Sequence, residues 1–399
     1  MPGAVVMPGT VLGRARPGKA PPGLLRRAGG RDADSGLTRG RAAATVIRMV
    51  RGSGRRRRRG RRPLALLAPV LCLVLGAGLA AALPDGARPD RAGHGGAGHG
   101  GPRAAGVPAP GPATAEPGPE PPVPGDPPPA GPQASSGSVS VDCGRGGEGH
   151  YNEDNVVVSP GLRAGAHHTH AYAGNLSTDA ASTDASLAAA ATTCRGGDRS
   201  TYYWPVLRRT DRPGTRPHER AAGHGNTGRI LSEAAVTVEF RGSPVSRVVP
   251  MPRFLRAVTG DAVAGTARDG GRVRARWGCS GTPERSTTRY PRCPAGERIT
   301  RTLVFPSCWN GLDTDSPDHR AHLGFPAANG VCPADSFPVP QLRIGLEYEV
   351  EPGVPVAVDS FSEQRHDPRT DHAMFVNAMT DEQMAAVVDC LNRGVRCRF

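Results

Sequence analysis

The alternation of hydrophobic and polar positions predicts a β-rich region in the C-terminal part of the chain. The clearest strand extends from Gln341 to Val350, because every second side chain there is apolar. Segments 299–305, 236–240 and 273–277 are weaker strand candidates. We therefore expect a mainly β fold: a sandwich or jelly-roll-like domain with long loops and a few peripheral helices.

Two segments have the spacing of helices. Between Thr380 and Asn392, Thr380 and Gln383 have capping-box spacing, and Gly394 is placed to end the helix. The apolar stripe of this helix consists of Met384, Val387, Val388 and Leu391. A second helix is predicted over 183–193.

An uncharged apolar stretch of 21 residues, from Pro63 to Leu83, is long enough to cross a bilayer. Seven arginines within positions 55–62 precede it, and the positive-inside rule then predicts a cytoplasmic N-terminus. The stretch is either an uncleaved transmembrane signal anchor or a signal peptide cleaved near residues 80–82. We expect a single-pass cell-membrane protein with its C-terminal domain outside, or the same domain secreted after cleavage.

The flanking segments complete the predicted organisation. Residues 1–62 are predicted to be a disordered, arginine-rich cytoplasmic tail, and Met1 and Met49 are both possible translation starts. Residues 84–136 are rich in proline and glycine and have too little apolar surface to form a core, so we expect a disordered linker. Residues 137–399 form the predicted exported domain.

The distribution of charge argues against a nucleic-acid partner. The formal net charge is +14, but residues 1–62 hold 17 of the 50 basic side chains and 2 of the 36 acidic ones. The other residues hold 33 basic and 34 acidic side chains, so the domain lacks the basic surface of a nucleic-acid-binding protein. We expect membrane contact through residues 63–83.

Eight of the nine cysteines lie in the predicted exported domain, and Cys72 lies in the apolar stretch. An even number of cysteines in an exported domain indicates disulfide bonds. No CxxC spacing is present, which argues against a zinc–thiolate site. Starting from the two most closely spaced pairs, we predict Cys279–Cys293, Cys390–Cys397, Cys308–Cys332 and Cys143–Cys194.

Three segments combine histidine with polar side chains. In residues 166–175, His168 and His170 would share one face of a strand. Residues 371–377 contain His372 and Asn377. Taken alone, the first segment is more typical of a polar strand, and the third of a structural histidine, than of a functional site.

The second segment, residues 313–326, has Ser316 and Pro317 where a helical turn would begin. Such a turn would place two histidines on one side, with two aspartates close enough to orient an imidazole. These residues are His319, His322, Asp315 and Asp318. A structural loop capped by aspartates is the alternative.

We predict that the five histidines of these segments converge in one cleft, within about 10 Å of one another, where they act as acid and base or bind substrate. A divalent metal bound by neutral imidazoles is the alternative, and we prefer the first reading because the segments offer no certain carboxylate ligand. The familiar catalytic motifs GxSxG and HExxH, the phosphate-binding loop and the dinucleotide fingerprint are all missing.

Five segments, in this order, resemble the family of domains of unknown function called DUF1996: HTHAYAGN, GDRSTYYWPVL, MPRFLRAVTGDA, FPSCWNGLDTDSPDHRAHLGFP and HAMFVNAM. The resemblance covers about Val141 to Cys397 and implies an exported domain without an assigned reaction. The family pattern would carry over onto His168, His170, Gly174, Asn175, Trp204, Pro205, Gly260, Asp261, Cys308, Trp309, Asp315, Pro317, Asp318, His319, His322, His372 and Asn377.

Three functions are compatible with these residues. The first is a polysaccharide-active hydrolase or lyase of the cell envelope, with catalytic candidates His168, His170, Asp318, His319, His322 and His372. Its substrate-binding candidates are Asn175, Tyr172, Trp204, Trp309, Asp315 and Asn377. The second is a non-catalytic module that binds cell-wall polysaccharide by stacking sugars on Tyr172, Tyr202, Tyr203, Trp204 and Trp309. The third is a structural envelope protein.

The predicted topology can be tested on intact protoplasts. Added protease should digest residues 84–399 and spare residues 1–62, because the arginine run holds the N-terminus inside. Immunoblots against each end of the chain measure this, and protection of residues 137–399 would contradict the prediction.

Overall fold

The structure is a computed structural model that describes residues 114–115, 118–119, 128–145, 150–220, 224–267 and 272–399. These residues all belong to one compact unit, Gly98–Phe399. The predicted tail, the apolar stretch 63–83 and most of the predicted linker lie outside the described residues. Among the residues that are described, no helix has the length and apolar character needed to cross a membrane.

The described chain is mainly β, with several sheets and few helices. The strands are β1 Thr114–Ala115, β2 Gly118–Pro119, β3 Ser138–Val141, β4 Tyr151–Asn152, β5 His170–Gly174, β6 Thr201–Pro205, β7 Leu207–Arg209, β8 Arg229–Ile230, β9 Ala235–Arg241, β10 Arg256–Gly260, β11 Trp277–Cys279, β12 Arg285–Ser286, β13 Tyr290–Pro291, β14 Ile299–Val304, β15 Cys308–Trp309, β16 Leu323–Gly324, β17 Phe337–Pro338, β18 Gln341–Tyr348, β19 Val356–Val358, β20 His372–Val376 and β21 Arg396–Arg398. The helices are α1 Asp184–Ala189, α2 Pro217–Arg220 and α3 Asp381–Asn392, with 3₁₀ turns at Ser362–Gln364 and Pro368–Thr370.

The largest sheet has six strands in the order β11-β14-β18-β9-β3-β21. Its central strand β18 runs antiparallel to both neighbours, so that Leu346 lies opposite Arg301 of β14 and Val236 of β9. The apolar residues of β18 are at most 2 % exposed, and they are Leu342, Ile344, Leu346 and Tyr348. The alternation predicted for this strand is confirmed.

The second sheet has five antiparallel strands in the order β10-β20-β6-β5-β4. Every residue of β5, β6 and β20 is buried, so both faces of these strands are covered. One face contributes Trp204 and Phe375 to a core shared with Ile344 of the six-stranded sheet. This packing of two sheets through one core is consistent with a β sandwich.

The opposite face of the five-stranded sheet has a smaller apolar cluster of its own. It consists of Val156, Val157, Tyr172, Leu187, Tyr203, Val258, Met374 and Val376. The loop before β5 and helix α1 supply Val156, Val157 and Leu187, and they cover a sheet face that would otherwise meet water. This covered outer face is where the first and third histidine segments lie.

The two predicted helices are present. In α3, Thr380 and Gln383 make the reciprocal hydrogen bonds of a capping box, and Gly394 follows with a φ of +71°, in the left-handed region that glycine adopts easily. Helix α1 also begins with a capping box, at Thr183 and Ser186, and is shorter than predicted because it ends at Ala189.

Two other predicted boundaries differ from the structure. Of the predicted strand 273–277 only Trp277 is part of a strand, because pairing with β14 begins there. Part of the predicted linker packs on the domain: Ser135 is 2 % exposed, and its backbone N–H donates to the Ser243 carbonyl at 2.8 Å.

All four predicted disulfides are present: Cys143–Cys194, Cys279–Cys293, Cys308–Cys332 and Cys390–Cys397. The bond between Cys390 and Cys397 joins the last turn of α3 to β21. Since β21 pairs with β3, this disulfide attaches the C-terminus to the edge of the large sheet.

The disulfide set predicts that denatured, unreduced protein shows none of these eight cysteines as a free thiol, so that only Cys72 reacts with an alkylating reagent. Replacing both Cys308 and Cys332 by serine should lower the free energy of unfolding by about 2–5 kcal/mol, because the unfolded chain loses a cross-link. Peptide mass spectrometry and urea unfolding measure the two effects. Alkylation at several of the eight cysteines would contradict the pairing.

Candidate functional site

Three histidines from two of the predicted segments form a buried group, which we call the inner cluster: His168, His170 and His372. Their ligand nitrogen atoms all lie within 4.8 Å of one another. Their exposed fractions are 2 %, 0 % and 5 %, respectively. His168 and His372 are 204 positions apart in sequence, so the sheet brings them together.

Strand pairing around β6 explains this convergence. His170 lies opposite Pro205 across the β5–β6 pair, and the register of β20 on β6 places Met374 opposite Tyr203. Continued by two residues, this register would place His372 opposite Pro205, on the edge of β6 away from β5. Because proline has no backbone N–H, β6 lacks a donor at this position, and pairing between β20 and β6 stops before it.

Hydrogen bonds to backbone carbonyls fix the tautomers of two of the three rings. His170 donates from Nδ1 to the Asp154 carbonyl at 3.1 Å, and His372 donates from Nδ1 to the Thr370 carbonyl at 2.8 Å. In neutral rings this leaves a lone pair on each Nε2. The Nε2 of His372 lies 3.2 Å from that of His168, and the buried Nε2 of His170 has no partner among the described residues.

Burial keeps the cluster uncharged. Burial first, and then the charge of His372, lower the pKa of His170 from 6.5 to about 3. Burial and the two neighbouring rings lower the pKa of His168 well below its usual value, and burial lowers that of His372. The group is therefore three neutral imidazoles at neutral pH.

A buried ion pair positions the first histidine segment. Arg208 donates from Nη2 to Asp359 at 3.0 Å, and both side chains are 1 % exposed. The same carboxylate accepts the backbone N–H of Thr169 at 3.1 Å. Thr169 stands between His168 and His170, so the pair fixes the backbone that carries both rings.

A second buried ion pair positions the third segment. Arg301 of β14 donates from Nε to Asp371 at 3.1 Å and from Nη1 to the Pro205 carbonyl at 3.0 Å. Asp371 directly precedes His372, and Pro205 lies between His170 and His372. One arginine of the six-stranded sheet thus holds the ends of two strands in the five-stranded sheet.

Glycine is required beside His372. Gly260 pairs with His372 across β10 and β20 and has a φ of +78°. A Cβ at this position would lie 2.2 Å from the Asp371 carbonyl oxygen and 2.7 Å from the Cα of His372. Any side chain here would displace the strand that carries His372.

The second histidine segment makes different contacts. His319 Nδ1 pairs with Asp315 at 3.0 Å, and His322 Nε2 donates to the Arg256 carbonyl at 2.7 Å. Among the described residues, neither histidine belongs to a group of three possible metal ligands within 4.8 Å. Arg320 donates to the Gly260 carbonyl at 2.8 Å, so this loop borders the strand that pairs with His372.

The helical turn predicted at Ser316 is wrong. The hydroxyl of Ser316 and the carboxylate of Asp318 both accept the backbone N–H groups of Arg320 and Ala321, which closes a turn instead of a helix. These backbone hydrogen bonds lower the pKa of Asp318 to about 2. Asp318 is therefore a turn-capping carboxylate that is ionised at neutral pH.

Burial corrects several substrate-binding predictions. The Trp204 ring is fully buried in the core and donates to Glu233, so it offers no face to a sugar. Asn175 donates to the carbonyls of Leu187 and Arg199, and Asn377 donates to that of Pro252; these buried amides brace loops.

Tyr172 is 4 % exposed, and Tyr202 and Tyr203 are 0 % exposed. The interior position of these rings corrects their predicted role in stacking on a sugar. The stacking surface proposed from sequence is thereby reduced to Trp309, which is half-buried and donates to the Asp313 carbonyl at 2.7 Å.

Sequence reasoning missed three residues beside the inner cluster. The Phe361 ring lies 5.4 Å from that of His168 and 5.8 Å from that of His167. His167 in turn contacts His224, with Nδ1 and Nε2 3.1 Å apart. His167 is part of the histidine-rich segment and could have been singled out, whereas nothing in the glycine-rich surroundings of His224 points to it.

Together, the fold and the site define a mainly β domain with a buried group of three neutral histidines. The family model described as "Domain of unknown function (DUF1996)" matches residues 155–387, which is more than half of the chain. The chain belongs to this family, as the sequence motifs indicated. No curated protein and no solved structure matches it.

The lowered pKa values predict a stability that falls in acid. Between about pH 3 and 6.5 the unfolded chain binds protons at His170 that the folded chain does not, so the free energy of unfolding decreases as pH decreases there. Urea unfolding of chelator-treated protein at pH 8, 6 and 5 should show this decrease. The His170→Gln variant should have a shallower pH dependence, and an unchanged slope would contradict the prediction.

Proposed function

We propose that this protein is an exported, metal-dependent enzyme of the cell envelope that cleaves polysaccharide, with the inner cluster as its metal site. The observation that carries the proposal is the convergence of three buried, neutral imidazoles with an unpartnered nitrogen among them. On this proposal residues 63–83 anchor the chain in the membrane and residues 137–399 act outside.

The inner cluster fits a transition-metal ion. Two nitrogens bound tetrahedrally to one ion at about 2.0–2.1 Å lie about 3.3–3.4 Å apart. The 3.2 Å between the Nε2 atoms of His168 and His372 is close to this value. An ion there would also give a partner to the buried Nε2 of His170, which otherwise has the cost of an unsatisfied buried group.

The surroundings of the rings support the same assignment. Metal-binding histidines usually donate their second ring nitrogen to a carbonyl or carboxylate, which fixes the tautomer. His170 and His372 do this through Asp154 and Thr370. Three imidazoles without a carboxylate favour zinc or copper over magnesium or calcium, which prefer oxygen ligands.

Three protein ligands leave a coordination position open, as in catalytic zinc sites, where a bound water becomes a nucleophile near neutral pH. This replaces the acid–base role that we preferred for these histidines from the sequence. A proton-transfer group works best with a pKa near the operating pH, and burial holds these three far below it.

The choice of polysaccharide rests on the expected location outside the membrane. An enzyme is favoured over a stacking module because four of the five aromatic residues considered for stacking are buried: Tyr172, Tyr202, Tyr203 and Trp204. The segment with Asp315 and His319 contacts β10 of the same sheet, through Arg320 and the Gly260 carbonyl. The approach of His319 and His322 to the inner cluster within about 10 Å is therefore kept as a part of this proposal.

The experiment combines metal analysis with product analysis. Purified protein at nanomolar free zinc should retain one ion, and His170→Ala and His372→Ala should each weaken zinc binding by about 100-fold or more. Cell-wall polysaccharide incubated with the protein should yield new reducing ends or unsaturated products. Both effects should disappear after treatment with a chelator and return with zinc.

His218→Gln is the matched control, because His218 stacks on Tyr151 and lies outside the inner cluster. It should retain both metal and activity, and circular dichroism should show that each variant is folded. Metal binding without new products would refute the enzyme and leave a metal-binding envelope domain. Polysaccharide binding without cleavage would favour the carbohydrate-binding module.

A further inference from the structure

We propose that three arginines beside the inner cluster bind acidic groups of the substrate, so that the polysaccharide cleaved at this site is one that carries uronic acid carboxylates. We call Arg272, Arg274 and Arg320 the arginine group; Arg272 is exposed and the other two are half-buried. The inference rests on the proposed function and deepens it, because it names the class of polysaccharide. The position of the group, its unpaired donors and its charge support it.

The arginine group lies at the end of β10, next to a strand of the inner cluster. Arg320 donates from Nη2 to the Gly260 carbonyl at 2.8 Å, and Gly260 lies opposite His372 in the pairing of β10 with β20. The backbone N–H of Arg272 donates to the carboxylate of the next residue, Asp261, at 3.0 Å. Two of the three arginines are thus attached to consecutive residues beside His372.

The third arginine is held over an aromatic ring of the loop that carries Arg320. The guanidinium carbon of Arg274 lies 4.7 Å from the centre of the Phe325 ring, in a cation–π contact. Its Nη1 donates to the Val273 carbonyl at 2.8 Å, and its buried Nε has no partner among the described residues. The protein therefore fixes the plane of this guanidinium but uses only part of its donors, and a planar fork of donors matches a carboxylate.

The two nearby aspartates serve the backbone and do not pair with the arginine group. Asp261 accepts the backbone N–H of Arg272, and Asp318 accepts those of Arg320 and Ala321. In the part of the chain that the structure describes, no ion pair joins a carboxylate to any of the three guanidinium groups. Their charge is therefore left for an anion from outside the protein.

Like charges are crowded within the arginine group. Burial first, and then the charge of Arg272, lower the pKa of Arg320, although two aspartates act in the opposite direction. Burial and neighbouring arginine charges also lower the pKa of Arg274. A bound anion would offset this repulsion, since opposite charges at short distance attract.

The positive charge is local, and this decides the kind of polymer. Outside residues 1–62 the chain holds 33 basic and 34 acidic side chains, so the domain as a whole does not attract polyanions. Three arginines in one place fit a few acidic groups near the cleavage point better than the continuous phosphates of a nucleic acid. In a polysaccharide, the carboxylate of a uronic acid is such a group.

The experiment compares a uronic acid oligosaccharide with its methyl ester, which has the same sugars without the charge. Isothermal titration of the full chain measures the affinity, and hydrogen–deuterium exchange locates the contact, because residues 1–62 would also attract the acid. We expect the acid to bind about 10-fold or more tightly than the ester at low salt. It should slow exchange in residues 272–276 and 318–325, and high salt should reduce the difference in affinity.

Replacing all three arginines of the group by glutamine should weaken binding of the acid by about 10-fold or more and leave binding of the ester unchanged. The matched control replaces three other exposed arginines by glutamine and so removes the same charge: Arg195, Arg393 and Arg398. It should bind the acid as the unaltered chain does. Circular dichroism checks folding, and Arg272→Gln combined with Arg274→Gln replaces the triple variant if that variant does not fold, because the double variant keeps the hydrogen bond of Arg320.

The outcomes separate this inference from the proposed function. Equal affinity of the arginine-group variant and the control for the acid would refute the inference, as would slowed exchange confined to residues 1–62. Cleavage of uncharged polysaccharide alone would also refute it and would leave the enzyme standing. If no zinc is retained and nothing is cleaved, the enzyme is refuted, while acid binding that depends on the arginine group would still support an acid-binding surface.

Discussion

Two buried arginine–aspartate pairs carry the geometry of the site. Asp359, neutralised by Arg208, holds Thr169 between two histidines, and Asp371, neutralised by Arg301, directly precedes the third. Removing one partner of such a pair leaves an uncompensated buried charge and costs about 3–5 kcal/mol. Loss of either pair should therefore displace the segment that carries the neighbouring histidines.

The packing of the two sheets makes this arrangement possible because the five-stranded sheet is covered on both faces. Its inner face shares the core of the larger sheet, while loops and α1 cover its outer face. Histidines on that outer face are removed from water when the chain folds, and this burial makes their charged forms unfavourable. The same burial that removes them as acids and bases keeps the lone pairs that a metal ion requires.

Burial also separates two kinds of polar side chain that look alike in sequence. Asn175 and Asn377 use their amide donors on backbone carbonyls, and Trp204 uses its indole N–H on Glu233. Each is satisfied inside the protein and is part of its scaffold. His170 differs, because one of its ring nitrogens is buried without a partner. It is the meeting of such a nitrogen with two other neutral imidazoles that sets this group apart from polar residues that only brace loops.

The sequence by itself determined the features that depend on neighbours along the chain. These are the alternation of β18, the capping box and glycine end of α3, the family motifs and the two close disulfides, whose cysteines lie 7 and 14 positions apart. Tertiary structure decided which histidines meet. Strands β5 and β20 pair with opposite edges of β6, and this brings together His168 and His372, which are 204 positions apart. Periodicity describes one strand at a time, so it can show neither a strand covered on both faces nor the meeting of distant segments.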